Sequence, residues 1–263
     1  MPRSSRFSAF PRSVFALVAL AVAAIVAAFP LDALAANYSI VSLVGREFTL
    51  VQYRPAVGSN ASRDQSDSYP IGSSALDDAA VLAADDALGK VRPGARAKLL
   101  RANDDVARMA DSWADGRLDA AALLERLGTA VDRNAGDRLI VIAPELRPIR
   151  LQIETGEVRS RRTAGVGFYL DRDRVLRRDA QYVTATGALG VFANVRIVVI
   201  DVGRAEVLAE EGVSAGRAVS AGRAADGDPW NALSSEAKVK MLRDILAREI
   251  GELMPAVLGK PGA

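Results

Sequence analysis

Few residues in this chain have the type and spacing for chemistry. Ser235-Glu236-Ala237-Lys238 has the S-x-x-K spacing that puts a serine at a helix start and a lysine one turn on as its base. The S-D-N and K-T-G partners of that pattern are absent, so the simpler reading is a helix-start serine followed by a solvated lysine. Acidic pairs recur at Asp77-Asp78, Asp85-Asp86 and Asp104-Asp105. Asp78 and Asp85 fall about two turns apart on one helix face, but no D-x-D-x-D-G loop accompanies them. They read as a solvated face and as charges suited to a helix start. Asp226-Gly227-Asp228-Pro229-Trp230-Asn231 reads as a turn shaped by Gly227 and Pro229, with Trp230 packed as a structural anchor under the last helix. No catalytic, cofactor-binding or metal-ligating residue is assigned, and no cofactor is expected.

Arginine is the most unusual feature. Nine arginines lie between Arg147 and Arg178, against the acids Glu154, Glu157, Asp171 and Asp173. Guanidinium forks match phosphate and carboxylate groups. Arg159, Arg161, Arg162, Arg172 and Arg174 are therefore the candidate interaction residues. The bland alternative is a compositional preference, since the chain uses 29 arginines and 5 lysines.

What is missing narrows the chemistry further. The chain has no His and no Cys. Ser-His-Asp and Cys-His catalysis lack their base or nucleophile. Thiolate and imidazole metal sites lack their ligands, and no disulfide can form. Carboxylate pairs, carboxylate-bound hard cations and Ser-Lys chemistry remain.

Residues 1–35 carry the three-part pattern of a cleavable export signal. Arg3, Arg6 and Arg12 form a basic start, Val14 to Phe29 is uncharged and apolar, Pro30 breaks it, and Ala33-Leu34-Ala35 supplies the cleavage pattern. The apolar run is short for a membrane span, which needs roughly 20 residues. A periplasmic chain from residue 36 to 263 with no stable membrane anchor is expected. Residues 1–35 hold three of the 34 basic and one of the 32 acidic residues, which leaves 31 of each. A neutral domain lacks the basic footprint of a nucleic-acid binder.

The elements that must position these residues follow from periodicity. Tyr38 to Tyr53 reads as a β-hairpin turning at Gly45-Arg46, and residues 56–74 as a long exposed loop. A helix is expected from a Ser74 cap to Gly89, with Leu76, Ala79, Ala80, Ala83, Ala87 and Leu88 inward. Ala95 to Arg101 suits a short strand. Helices are expected from Asn103 and over Leu118 to Val131. Leu139 to Ala143 reads as a buried strand, Ile149 to Glu154 and Gly167 to Leu170 with Val175 as alternating ones, and Val191 to Val202 and Ala205 to Ser220 as long ones, together an antiparallel meander of about five strands. The last helix carries Val239, Leu242, Leu246, Ile250, Leu253 and Val257 inward. The fold class is a single α/β (α+β) domain, with an antiparallel or mixed sheet of about five to seven strands covered by three to four helices.

The stretches SIVSLVGREFTLV, ALDDAAV and DPWNALSSEAKVKMLRD resemble an uncharacterised family of exported Gram-negative proteins, a resemblance that implies no activity. More loosely, the order of elements is similar to small periplasmic envelope-assembly domains, namely the TolB N-terminal domain and the CsgG and LpoB groups. The expectation is a non-catalytic envelope interaction or assembly accessory protein, with an envelope protein or an anionic envelope component as partner. The alternatives are a carboxylate-dependent hydrolase acting on a glycan and an anion-binding module built on the arginine cluster.

Overall fold

A computed structural model describes residues 37–54, 64–134, 136–153, 156–178, 183–219, 224, 226–260 and 262. The export signal expected over residues 1–35 lies outside the described residues. Among the described residues the fold is α+β: four helices on a mixed, curled sheet, with a small second sheet.

The frame is a ribbon of two long strands, β9 (Val183–Asp201) and β10 (Glu206–Val219), paired antiparallel. Because β10 takes one edge of β9, every other partner of β9 must use the opposite edge. Two strands share that edge end to end. β5 (Arg138–Pro144) pairs with the last third of β9, and β8 (Gly165–Arg178) with its first two thirds. Pro144 stands opposite Val195 and Gly165 opposite Asn194, so the ladder passes from one to the other without a gap.

The next column repeats this arrangement. β1 (Tyr38–Ser42) runs parallel to β5, and β2 (Glu47–Gln52) parallel to β8. The two therefore point the same way and do not pair with each other. This corrects the expected hairpin: Gly45, at φ +91°, lies in the short link that carries β1 on into β2. The outer column holds β4 (Ala97–Arg101), parallel to β1, and β3 (Gln65–Pro70), antiparallel to β2. β3 corrects the expected loop over 56–74, of which residues 56–63 lie outside the described residues. The strands from Leu139 onward pair antiparallel with one another as expected, β8 and β10 flanking β9, and the sheet is mixed because β1, β2 and β4 join it through three parallel pairings.

Burial follows the alternation of the strands. Ile40, Ile140, Ile142, Ile197 and Val199 point to one face, covered by α1 (Ala75–Val91) and α4 (Ser235–Leu258), which pack on each other. Val41, Leu139, Val141, Val198 and Ile200 point to the other face, covered by α2 (Asp104–Trp113) and α3 (Ala120–Leu127). Further along the same face the cover changes to a hairpin of β6 (Arg147–Ile153) and β7 (Gly156–Thr163). Its Ile149 and Leu151 pack with Val51, Tyr169 and Phe192. The hairpin comes this close because its floor is glycine. A Cβ at Gly216 would stand 2.2 Å from the Arg150 carbonyl oxygen, and one at Gly190 2.5 Å from Leu151 Cδ1. Asn194 ties the hairpin base: its buried amide donates to the Arg147 and Thr163 carbonyls at 3.0 and 2.7 Å.

Local signals set the helix ends. Asn103, Asp119 and Ser234 each accept a backbone N–H from the first turn of α2, α3 and α4. Helix α1 passes through Gly89 and stops at Val91, because Pro93 disfavours helical backbone at Arg92. Helix α3 stops at Leu127, where Gly128 takes φ +54°. In α4, Met254 takes the buried position expected of Leu253.

Candidate functional site

A crevice opens in the sheet where the paired columns change partners. The outer column is interrupted there: β4 ends at Arg101 and β3 at Pro70, and both carboxyl ends face the link formed by residues 43–46. From β3 the chain enters α1 on one face of the sheet. From β4 it enters α2 on the other. Because the two paths leave on opposite faces, a crevice is left between the N-terminal ends of α1 and α2. Two adjoining clefts of about 380 and 460 Å³ occupy it, and both are lined by Ser42, Arg46, Asp77 and Ala102.

Asp77 holds the crevice together. Its Oδ1 accepts from Ser42 Oγ at 2.6 Å and from the Gly45 backbone N–H at 3.0 Å. Burial pushes the Asp77 carboxyl above its ordinary range, and the neighbouring Asp78 adds to this; the hydrogen bonds from Ser42, Gly45 and Val44 pull the other way. Ser42 is 2% exposed, donates to Asp77 and accepts from the Val44 N–H at 3.3 Å. A buried serine bonded to a carboxylate has no strong base to activate it, so this pair pins the link to α1 rather than forming a nucleophile. Asp78 accepts from Ser74 Oγ at 2.8 Å and lies 3.4 Å from the Arg101 guanidinium, itself largely exposed.

The smaller cleft has an apolar wall. Val81, Leu82, Leu99 and Leu100 line it, and Leu82 and Leu99 are 58% and 43% exposed. The larger cleft is more polar, with Glu47, Asp104, Arg108 and Asp111. Among the described residues no group of three or more acids is placed to hold a metal ion.

The arginine candidates lie elsewhere. Arg162, on β7, donates to the Leu146 carbonyl at 2.9 Å. Arg172, on β8, bonds Asp228 at 3.1 Å and Gln52 at 3.1 Å. The two described side chains are thus engaged in different parts of the molecule. Arg159 stands opposite Arg150 in the hairpin register; its side chain, and those of Arg161 and Arg174, lie outside the described residues.

Trp230 sits in the 3-10 turn Pro229–Ala232, where Asp228 accepts its backbone N–H. Its ring stacks on Phe48 at 6.4 Å and meets Phe168 edge-on at 5.7 Å. Lys238 lies 3.8 Å over the same ring, and partial burial there lowers its pKa. The lysine of the S-x-x-K spacing is therefore placed on an indole. Asp86, in the acidic run of α1, pairs with Lys90.

Sequence reasoning missed Ser42, Arg46, Leu82 and Leu99 as site residues, and took Asp77 for part of a helix cap. Ser42, Asp77 and Arg101 are separated by whole elements, and no short motif joins them. The open signal was Leu82, an apolar side chain off the inward stripe of α1. No family model and no curated protein matches the chain.

Proposed function

We propose that the protein is an exported, non-catalytic interaction module of the bacterial envelope, and that the crevice at the ends of β1 and β4 is its contact surface. The observation that carries this reading is a division of labour within the crevice. The acids Asp77 and Asp78 are spent on internal bonds, whereas the large apolar side chains Leu82 and Leu99 open to solvent in the same cleft. Exposed apolar side chains grouped at a fold-defined crevice suit partner contact more than bond-making chemistry.

Site-specific photo-crosslinking in the producing cell tests this. A photoreactive residue at Leu82 or Leu99 is expected to give a discrete protein adduct, and one at the exposed Glu252 of α4 none. Equal labelling at all three positions, or none at the crevice, counts against the reading.

The second reading is a carboxylate-dependent hydrolase using the larger cleft. It is favoured by Asp104 and Asp111 beside Asp77 in one groove. Release of sugar ends from envelope glycan, lost in Asp104→Asn or Asp111→Asn, would replace the first reading with this one.

A further inference from the structure

We propose that the outer edge of β4 receives an extended segment of a partner protein that alternates apolar and acidic residues, added as a further strand of the sheet. This rests on the interaction reading above and names the chemistry of the partner.

Three observations converge on that edge. β4 ends the strand order on its side, with β1 as its neighbour, so its other edge has no strand partner among the described residues. A strand edge carries a row of backbone donors and acceptors that a further strand can satisfy. The apolar side chains Leu99, from β4, and Leu82, from α1, flank the cleft beside it. Finally, Arg96 to Arg101 reads RAKLLR, with three cations and no acid.

The charge pattern selects the occupant. Alternation puts Leu99 and Arg101 toward α1, and Lys98 and Leu100 toward the opposite face. Arg101 accordingly reaches Asp78 of α1, and Lys98 lies 3.8 Å from Asp132 beyond α3. Both pairs are exposed, and exposed pairs contribute little, so an incoming acid can replace either. A second copy of the chain would bring RAKLLR against RAKLLR, cation beside cation. A strand with apolar residues against Leu82 and Leu99 on the α1 face, and an acid beside Lys98 on the other, satisfies the edge on both faces. Lysine on an edge strand is by itself protection against self-pairing. The two open leucines beside it are what a partner explains.

The test is fluorescence anisotropy of the purified chain with a labelled short peptide alternating Val and Glu. A Val/Lys peptide and a Val/Glu peptide N-methylated along one backbone edge serve as controls. The expected result is binding of the Val/Glu peptide alone. Leu82→Ser and Leu99→Ser, at exposed sites and expected to leave the urea midpoint close to that of wild type, are expected to weaken it about tenfold or more each. Hydrogen exchange is expected to slow at residues 97–101 when the peptide is bound. No binding, equal binding of the Val/Lys or the N-methylated peptide, or protection elsewhere overturns the inference. Concentration-dependent dimerisation lost in Leu99→Ser overturns it in favour of a second copy. If the peptide fails while the crosslinker at Leu82 or Leu99 still yields a discrete adduct, strand addition falls and the wider interaction reading stands; if both fail, both fall.

Discussion

Replacing Asn194 by alanine removes the two hydrogen bonds that close the base of the β6–β7 hairpin. The Thr163 carbonyl is bonded in a buried setting and the Arg147 carbonyl in a partly buried one. The first loses a donor that water cannot readily replace, at about 1–3 kcal/mol, and the second about 0.5–1.5 kcal/mol. Asn194 Oδ1 is itself buried without a hydrogen-bond partner, so its removal returns part of this. A net destabilisation of about 2–3 kcal/mol is expected, read as a lower urea midpoint with an unchanged slope. Hydrogen exchange in residues 147–153 is expected to quicken more than in β5, because the clamp is local. Asn194→Asp sharpens the test. It aims a carboxylate at two carbonyl oxygens, and burial holds that acid's folded pKa above its unfolded value of about 4. The added penalty is then absent below the unfolded pKa and grows as pH rises through the folded one. Asn194→Ala within about 0.5 kcal/mol of wild type, or Asn194→Asp no less stable at pH 7 than at pH 4, would refute the clamp.

Other consequences follow from the same packing. Asp77 has a raised pKa, so its ionisation costs stability as pH rises above its unfolded value; Asp77→Asn keeps an acceptor for Ser42 and Gly45 and is expected to gain on wild type between about pH 4 and pH 7. Urea titrations across that window check it, and a constant difference would contradict the assignment. Arg196 is buried, donating to Glu210 at 2.6 Å and to the Trp113 carbonyl, whereas Glu210 is half open. Glu210→Ala is therefore expected to cost about 2–4 kcal/mol, more than Arg196→Met, because an unpaired buried cation is worse than no cation; equal losses in chemical denaturation would contradict this. At the hairpin floor, Gly216→Ala is expected to cost more than Gly190→Ala. The first meets backbone and the second the end of a leucine that can turn, and overpacking of this kind costs about 1–3 kcal/mol. The reverse order by calorimetry would show that the hairpin, not Leu151, is the part that yields.

What the sequence revealed depended on how local the cause was. The strands around Leu139 to Ala143 and Val191 to Val202 were legible because burial on both faces demands a run of β-branched residues. The last helix was legible from its three- and four-residue spacing. The path from Tyr38 to Tyr53 was misread because a glycine at positive φ serves a hairpin turn and a short onward link equally well. Only β5 and β8, distant in the chain, decide between them. Strand β3, with the sequence QSDSYP, carries no alternation because it is largely solvated, and the backbone ladder to β2 holds it. The crevice was illegible for the same reason as the parallel pairings. Ser42, Asp77 and Arg101 meet only when three crossings of the chain are in place.

The unbroken ladder opposite β9 has a meaning for how this chain can be built. Pro144 and Gly165 occupy consecutive rungs, so residues 145–164 form a guest spliced into a host strand that is complete without them. The guest borrows its seat from host residues Gly190, Gly216 and Asn194 and in return covers the host's Val51, Tyr169 and Phe192, while the host's rungs at Pro144 and Gly165 ask only that it leave and return at the same place. That junction is a grafting point, at which one hairpin can be exchanged for another so long as Pro144, Ala164 and Gly165, which line the larger cleft, stay in place.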